Sequence, residues 1–260
     1  QSPRFIYRME NQHTGGRVGN FELAVRLSYL IWGAPPDEAL YTAADQGKLS
    51  SPEQIRIQIN RMLKDPRAVD RSVQFLSQWL NLGHLANLRP DKNHFPRWNP
   101  SLADDMRAET IAFFKEIVWK QNRPLSNLFN AQFSYLTSQL AQHYRLTPLQ
   151  TGKGTLRYNL TKIPSRGGLL THGSVLTRGG DDASMVTRGL FVMQDLLRGV
   201  VKDPPPCVDT TPVPSQPGLS QRVIAEKRIA NTNCGGCHSK FEPLAFGLER
   251  FDGLGSYLEK

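Results

Sequence analysis

Asn231-Thr232-Asn233-Cys234-Gly235-Gly236-Cys237-His238 is the stretch on which the reading of this chain turns. Two cysteines three residues apart, followed at once by a histidine, form a C-x-x-C-H sequence, the attachment pattern of a c-type haem. The spacing has a mechanical reason. Two thiols on one turn of chain both reach the vinyl groups of the macrocycle, and the next side chain points its imidazole at the iron from the proximal face. Gly235 and Gly236 remove side chains that would crowd the ring. A helix from Gln221 to about Ile229 leads into the motif and helps to hold the imidazole upright. The expected cofactor is therefore one covalent haem c, with Cys234 and Cys237 as attachment points and His238 as an axial iron ligand.

Two rivals use the same residues. A redox dithiol of the thioredoxin kind needs its C-x-x-C at a strand-to-helix junction in a βαβ context, and no such pattern surrounds Cys234. A structural zinc site on Cys234, Cys237 and His238 needs a fourth ligand, from Cys207 or a remote histidine. With three cysteines in the whole chain, chance is a poor account of the motif. Cys207 is the odd thiol, either free and buried or paired with a cysteine outside this sequence.

Around the motif, Pro243 lies five residues past His238, and its carbonyl or one nearby is expected to accept the ring Nδ1–H. Phe241, Leu244, Phe246, Leu248 and Phe251 are expected to give apolar cover, which raises the reduction potential of an iron. The 22 residues after His238 contain neither Met nor His, so a sixth iron ligand must come from upstream, from elsewhere or from water. His172, in the small-residue turn Gly167–Ser174, is the leading candidate, with Met185 second. His13, His84, His94 and His143 sit in polar or loop contexts and read as surface residues. Arg166, Arg178, Arg188 and Arg198 read either as bidentate partners of haem propionates or as exposed charges.

Farther out, the first part of the chain is helical. Apolar residues recur at helical spacing from Asn20 to Ile31, after Asp37, after Ser51-Pro52, and from Val69 to Leu80. Asn99-Pro100 opens the longest helix, which Arg123-Pro124 ends. Short helical pieces follow around 125–129 and 137–144. The character changes near Leu146, with short strands expected at 155–158 and 169–176 and a helix at 185–197. Prolines crowd 203–217, which must run extended. The expected fold class is mainly α: a helical domain, 1–146, followed by a smaller, irregular, Pro-rich, cytochrome-c-like haem-binding domain, 147–260.

The formal charge is +9, spread without a Lys/Arg run of the kind that makes a nucleic-acid arm. It reads as a solvated basic surface, or as a rim that steers an acidic redox partner. No apolar run approaches the ~20 residues of a membrane helix. Both ends look cut from a larger protein with further domains.

The stretch Phe21 to Trp32, with Arg61-Met62-Leu63-Lys64-Asp65-Pro66-Arg67 and Gln78-Trp79-Leu80, resembles a helical domain of unknown function. That domain occurs in planctomycete-type multidomain cytochrome-c-like exported proteins. Arg166-Gly167-Gly168-Leu169-Leu170-Thr171-His172 and Thr187-Arg188-Gly189 resemble the first half of the adjacent C-x-x-C-H-bearing domain. Cys234 to His238 and Glu242 to Asp252 resemble its second half. The resemblance implies haem, a periplasmic or cell-surface location, and further domains or chains of the same protein. It names no reaction. Single-electron transfer within a larger exported redox protein is the expected function. A haem enzyme, peroxidase- or oxygenase-like with an open sixth position, is the alternative, and a helical domain that binds a partner or a cell-surface polymer is a third reading.

Overall fold

The computed structural model describes residues 18–149, 154–204 and 218–259. Cys207, His13 and nearly all of the proline-rich stretch 203–217 lie outside the described residues. The protein is mainly helical, with one two-stranded sheet among the described residues. It forms two compact units, residues 1–76 and 77–260.

In the first unit, α1 (Asn20–Ile31), α2 (Glu38–Asp45) and α3 (Pro52–Met62) follow one another, and α4 (Pro66–Trp79) begins. The start signals are local hydrogen bonds. The Asp37 carboxylate accepts from the Leu40 N–H at 2.9 Å, and Ser51 and Gln54 form a reciprocal capping box ahead of Pro52. Trp32 is buried and donates its indole N–H to the Met62 carbonyl at 3.0 Å, while the Arg67 guanidinium lies 3.7 Å from its ring centroid. Arg67 in turn holds the Asp65 carboxyl down at about 2.

The second unit is organised on α5 (Pro100–Phe114), opened by Asn99 capping the Leu102 N–H and extended by a π-helical turn, Lys115–Lys120. Short α6 (Asn127–Asn130) leads to β1 (Phe133–Leu136), then α7 (Ser138–His143) and β2 (Leu156–Asn159). β1 and β2 pair antiparallel, Phe133 opposite Asn159 and Leu136 opposite Leu156, so the pair joins segments on either side of residue 147. Leu102, Met106, Leu136, Leu140, Tyr144 and Tyr158 form one buried cluster there.

Of the expected strands, only the one near 155–158 forms. Residues 169–176 are instead a 3-10 turn, Leu169–Thr171, and a helical turn, α8 (Gly173–Leu176). A short segment with apolar residues only at its two ends, Leu169-Leu170 and Val175-Leu176, carries no period that separates strand from helix. The deciding residue is Gly168, at φ 68, whose Cα lies so close to the Phe129 backbone that a side chain would stand 2.9 Å from the Phe129 Cα. α9 (Met185–Leu190), its π-helical continuation Phe191–Leu196, and α10 (Gln221–Ala230) complete the approach to the motif.

Arg188, on α9, ties this unit together. Its guanidinium is buried and donates to the carbonyls of Leu176, Leu248, Phe251 and Asp252 at 2.6–3.2 Å. Burial lowers its pKa to about 10, which leaves it charged at neutral pH.

Candidate functional site

The motif begins where α10 ends. The Asn231 side chain accepts from the backbone N–H groups of Asn233 and Cys234 at 2.9 and 3.3 Å, turning the chain out of the helix. The N–H groups of Cys237 and His238 then both donate to the Cys234 carbonyl, at 3.2 and 3.1 Å, closing one helical turn, α11 (Gly235–His238). Both thiols are free, Cys234 half-buried and Cys237 exposed. The two glycines differ in role. A side chain at Gly235 would run into the Ile229 carbonyl at the end of α10, whereas beside Gly236 there is open space.

His238 is held from behind. Its Nδ1 meets Oε1 of Glu242 in a short hydrogen bond, four residues on and so on the same face of the turn. Glu242 is fully buried, and its carboxylate is gripped by the Arg228 guanidinium from α10, at 2.9 Å to Oε1 and 2.7 Å to Oε2. The carboxylate accepts, so Nδ1 of His238 is the donor, and Nε2 is left without a hydrogen-bond partner among the described residues. The Phe241 ring, itself buried, lies 5.1 Å from the imidazole centroid. The acceptor is thus a side-chain carboxylate and not the Pro243 carbonyl. Pro243 is exposed and opens the 3-10 turn Glu242–Leu248. A buried carboxylate with its own arginine is the stronger acceptor, so it takes the ring N–H.

The residues expected to cover a macrocycle are divided between two cores. Phe246 packs with Met185, Ala225 and Ala245, with the Arg222 guanidinium 4.7 Å over its ring. Leu248 and Phe251 pack with Leu176, and Leu244 is exposed.

His172 stands in a different neighbourhood. It is fully buried, its ring edge against Phe113 at 4.7 Å and its Nδ1 3.1 Å from the Thr110 hydroxyl. Its Nε2 lies 3.8 Å from Glu109 and has no hydrogen-bond partner among the described residues. Glu109 accepts from Ser134 and Tyr144, at 2.7 Å each. Burial lowers the His172 pKa, against the pull of Glu109, so the ring is neutral. None of these partners touches His238, whose described neighbours are Glu242 and Phe241.

Two groups of expectations need correction. Arg166 and Arg188 are not exposed. Arg166 donates to the Thr171 and Gly255 carbonyls and stacks on Tyr144, and Arg188 is bound as described above. Arg178 donates to the Leu80 carbonyl and lies over Phe191. Irregular backbone leaves many carbonyls outside helix or sheet ladders, and guanidinium donors satisfy them. His84 and His143, expected at the surface, are half-buried and hydrogen-bonded. Their Nε2 atoms reach Thr177 at 3.0 Å and the Leu254 carbonyl at 2.8 Å, and burial lowers both pKa values. His94 is exposed as expected.

The residues of this turn are of the kinds that a haem c would need. Haem attachment asks for two reachable thiols, one imidazole with a free Nε2, and no crowding side chain, all present at this turn. Among the described residues no three His, Cys, Asp or Glu side chains stand as a group that could hold a metal ion.

The chain is thus mainly helical and carries a C-x-x-C-H turn backed by a buried carboxylate. Its sequence matches two family models. Residues 18–146 match a protein of unknown function (DUF1592), named PSD4, and residues 166–260 match a protein of unknown function (DUF1588), named PSCyt3. Both are consistent with the cytochrome-c-like domain pair that the sequence resembles. No curated protein and no solved structure matches the chain. Among the described residues, no helix is long and apolar enough to cross a membrane.

Proposed function

We propose that the chain is the haem c-bearing part of an exported redox protein and passes single electrons. Cys234 and Cys237 would hold the macrocycle through thioether bonds, and Nε2 of His238 would take the proximal position on the iron. Bound there, haem c supplies a one-electron iron couple. The chain's own residues do the rest. Glu242 and Arg228 hold the imidazole at Nδ1, and the backbone turn from Asn231 sets the motif at the end of α10. The observation that carries the reading is the imidazole of His238, held at Nδ1 with Nε2 free of any partner among the described residues, in the same turn as two free thiols. Attachment to such motifs takes place outside the energy-coupling membrane, so a periplasmic or cell-surface location follows from this reading. A basic surface, +9 overall, suits an acidic redox partner. Pyridine haemochrome analysis after expression with a c-type maturation system tests it, and one haem per chain is the expected result.

A second reading, a haem enzyme with an open sixth position, is favoured by one observation. Both expected sixth ligands are engaged elsewhere: His172 with Thr110 and Phe113, and Met185, fully buried, with Ala225 and Ala245. To bind iron, His172 would have to leave a closed core. The ferric spectrum separates the readings. Low-spin iron that ignores cyanide and peroxide marks the carrier, and high-spin iron that responds to them marks the enzyme. If His172 is the ligand, His172→Ala turns a low-spin iron high-spin.

A further inference from the structure

We propose that Glu242 is a positioning residue that sets the electron-donor strength of His238, with Arg228 as its moderator. This inference rests on the haem reading above.

The usual partner of a metal-bound imidazole is a neutral carbonyl or a carboxylate, and the choice changes the metal. A carboxylate draws the Nδ1 proton toward itself and makes the ring a stronger donor at Nε2, which stabilises the more positive iron state and lowers the reduction potential. Here the partner is a carboxylate with no exposed surface, so solvent does little to screen its charge. Its geometry is over-determined. Oε1 takes the hydrogen bonds of both His238 and Arg228, and Oε2 takes the second Arg228 bond. The backbone under Glu242 is fixed as well. At Gly189 of α9 a side chain would stand 2.8 Å from the Phe241 carbonyl carbon and 3.1 Å from the Glu242 Cα, so α9 and the Glu242 turn lie in direct backbone contact.

Arg228 acts in the opposite sense. Its positive charge cancels part of the carboxylate field and holds electron density away from the histidine. The two residues therefore predict opposite signs, which a loss of packing does not. Glu242→Gln keeps size and an acceptor oxygen but removes the charge. Arg228→Gln removes the counter-charge and leaves the carboxylate.

The test is spectroelectrochemical titration of haem-loaded wild-type protein and both variants, with haem content read by pyridine haemochrome. Glu242→Gln is expected to shift the ferric-to-ferrous ratio at fixed potential about tenfold toward ferrous, which is about 59 mV upward for a one-electron couple. Arg228→Gln is expected to move the midpoint downward. Haem in all three proteins with unmoved midpoints, or with both variants shifted in the same direction, overturns the positioning role and leaves the haem reading standing. A wild-type chain that takes up no haem overturns both.

Discussion

Replacing Arg188 by Met probes the element on which the second unit depends. The guanidinium makes five hydrogen bonds to the carbonyls of Leu176, Leu248, Phe251 and Asp252, inside a region where its own exposure is 1%. A buried carbonyl left without a donor costs about 1–3 kcal/mol. The Leu248 and Asp252 carbonyls still accept from the N–H groups of Phe251 and Gly255, so the orphans are Leu176 and Phe251. With the two other lost bonds the gross cost is about 4–8 kcal/mol, comparable with the margin of an ordinary domain, about 5–15 kcal/mol. Two effects reduce that sum. The methionine stem refills part of the volume, and the desolvation cost of the buried charge, several kcal/mol, disappears with it. A net loss of about 3–5 kcal/mol remains. For a unit of this size each kcal/mol moves Tm by about 2–4 °C, so Tm should fall by about 10 °C. Calorimetry on purified wild type, Arg188→Met and Arg188→Lys measures it. The lysine variant keeps the charge but presents one compact ammonium and should fall between the other two. A Tm within about 3 °C of wild type for the methionine variant would refute the argument that Arg188 is the tie.

Gly189→Ala should destabilise by about 1–3 kcal/mol through overpacking against the Phe241–Glu242 backbone; urea unfolding curves that superimpose on wild type would contradict it. Tyr144→Phe deletes the hydroxyl that donates to Glu109 and accepts from the Gly173 N–H, and should cost about 2 kcal/mol, read from the shift in urea midpoint. Acid should weaken the fold through His84 and His143, whose folded pKa values lie below the ordinary 6.5 because burial disfavours the charged ring. Their contribution is complete above about pH 6.5 and is lost as pH falls through the lower folded values. His143→Gln, which keeps a donor for the Leu254 carbonyl, should flatten the Tm–pH slope between about pH 7 and 5; an unchanged slope removes His143 from the account.

What the sequence revealed, and what it hid, follows from the range of the interactions. The helices announced themselves because their signals are local: Asp37, Ser51 and Asn99 cap within three residues, and the prolines at 52 and 100 sit at first helical positions. The C-x-x-C-H turn was legible for the same reason. β1 passed unnoticed because its partner, β2, is more than 20 residues away and its four residues lack a visible period. Residues 169–176 misled because eight residues with apolar pairs only at the ends read the same in either conformation. Arg166 and Arg188 looked free because backbone carbonyls, their actual partners, leave no trace in a sequence. Glu242 was within reach: an acidic residue four positions after the histidine of the motif is a visible pair. Arg228, fourteen residues before it in the preceding helix, was not.

The central claim is that Cys234, Cys237 and His238 form a haem c attachment turn, and intact mass spectrometry tests it most directly. The denatured wild-type chain, expressed with a c-type maturation system, should carry the added mass of one haem. The double variant Cys234→Ser/Cys237→Ser should show the bare polypeptide mass. A wild-type chain at its bare polypeptide mass, from a host that matures a control cytochrome in the same cells, would contradict the claim.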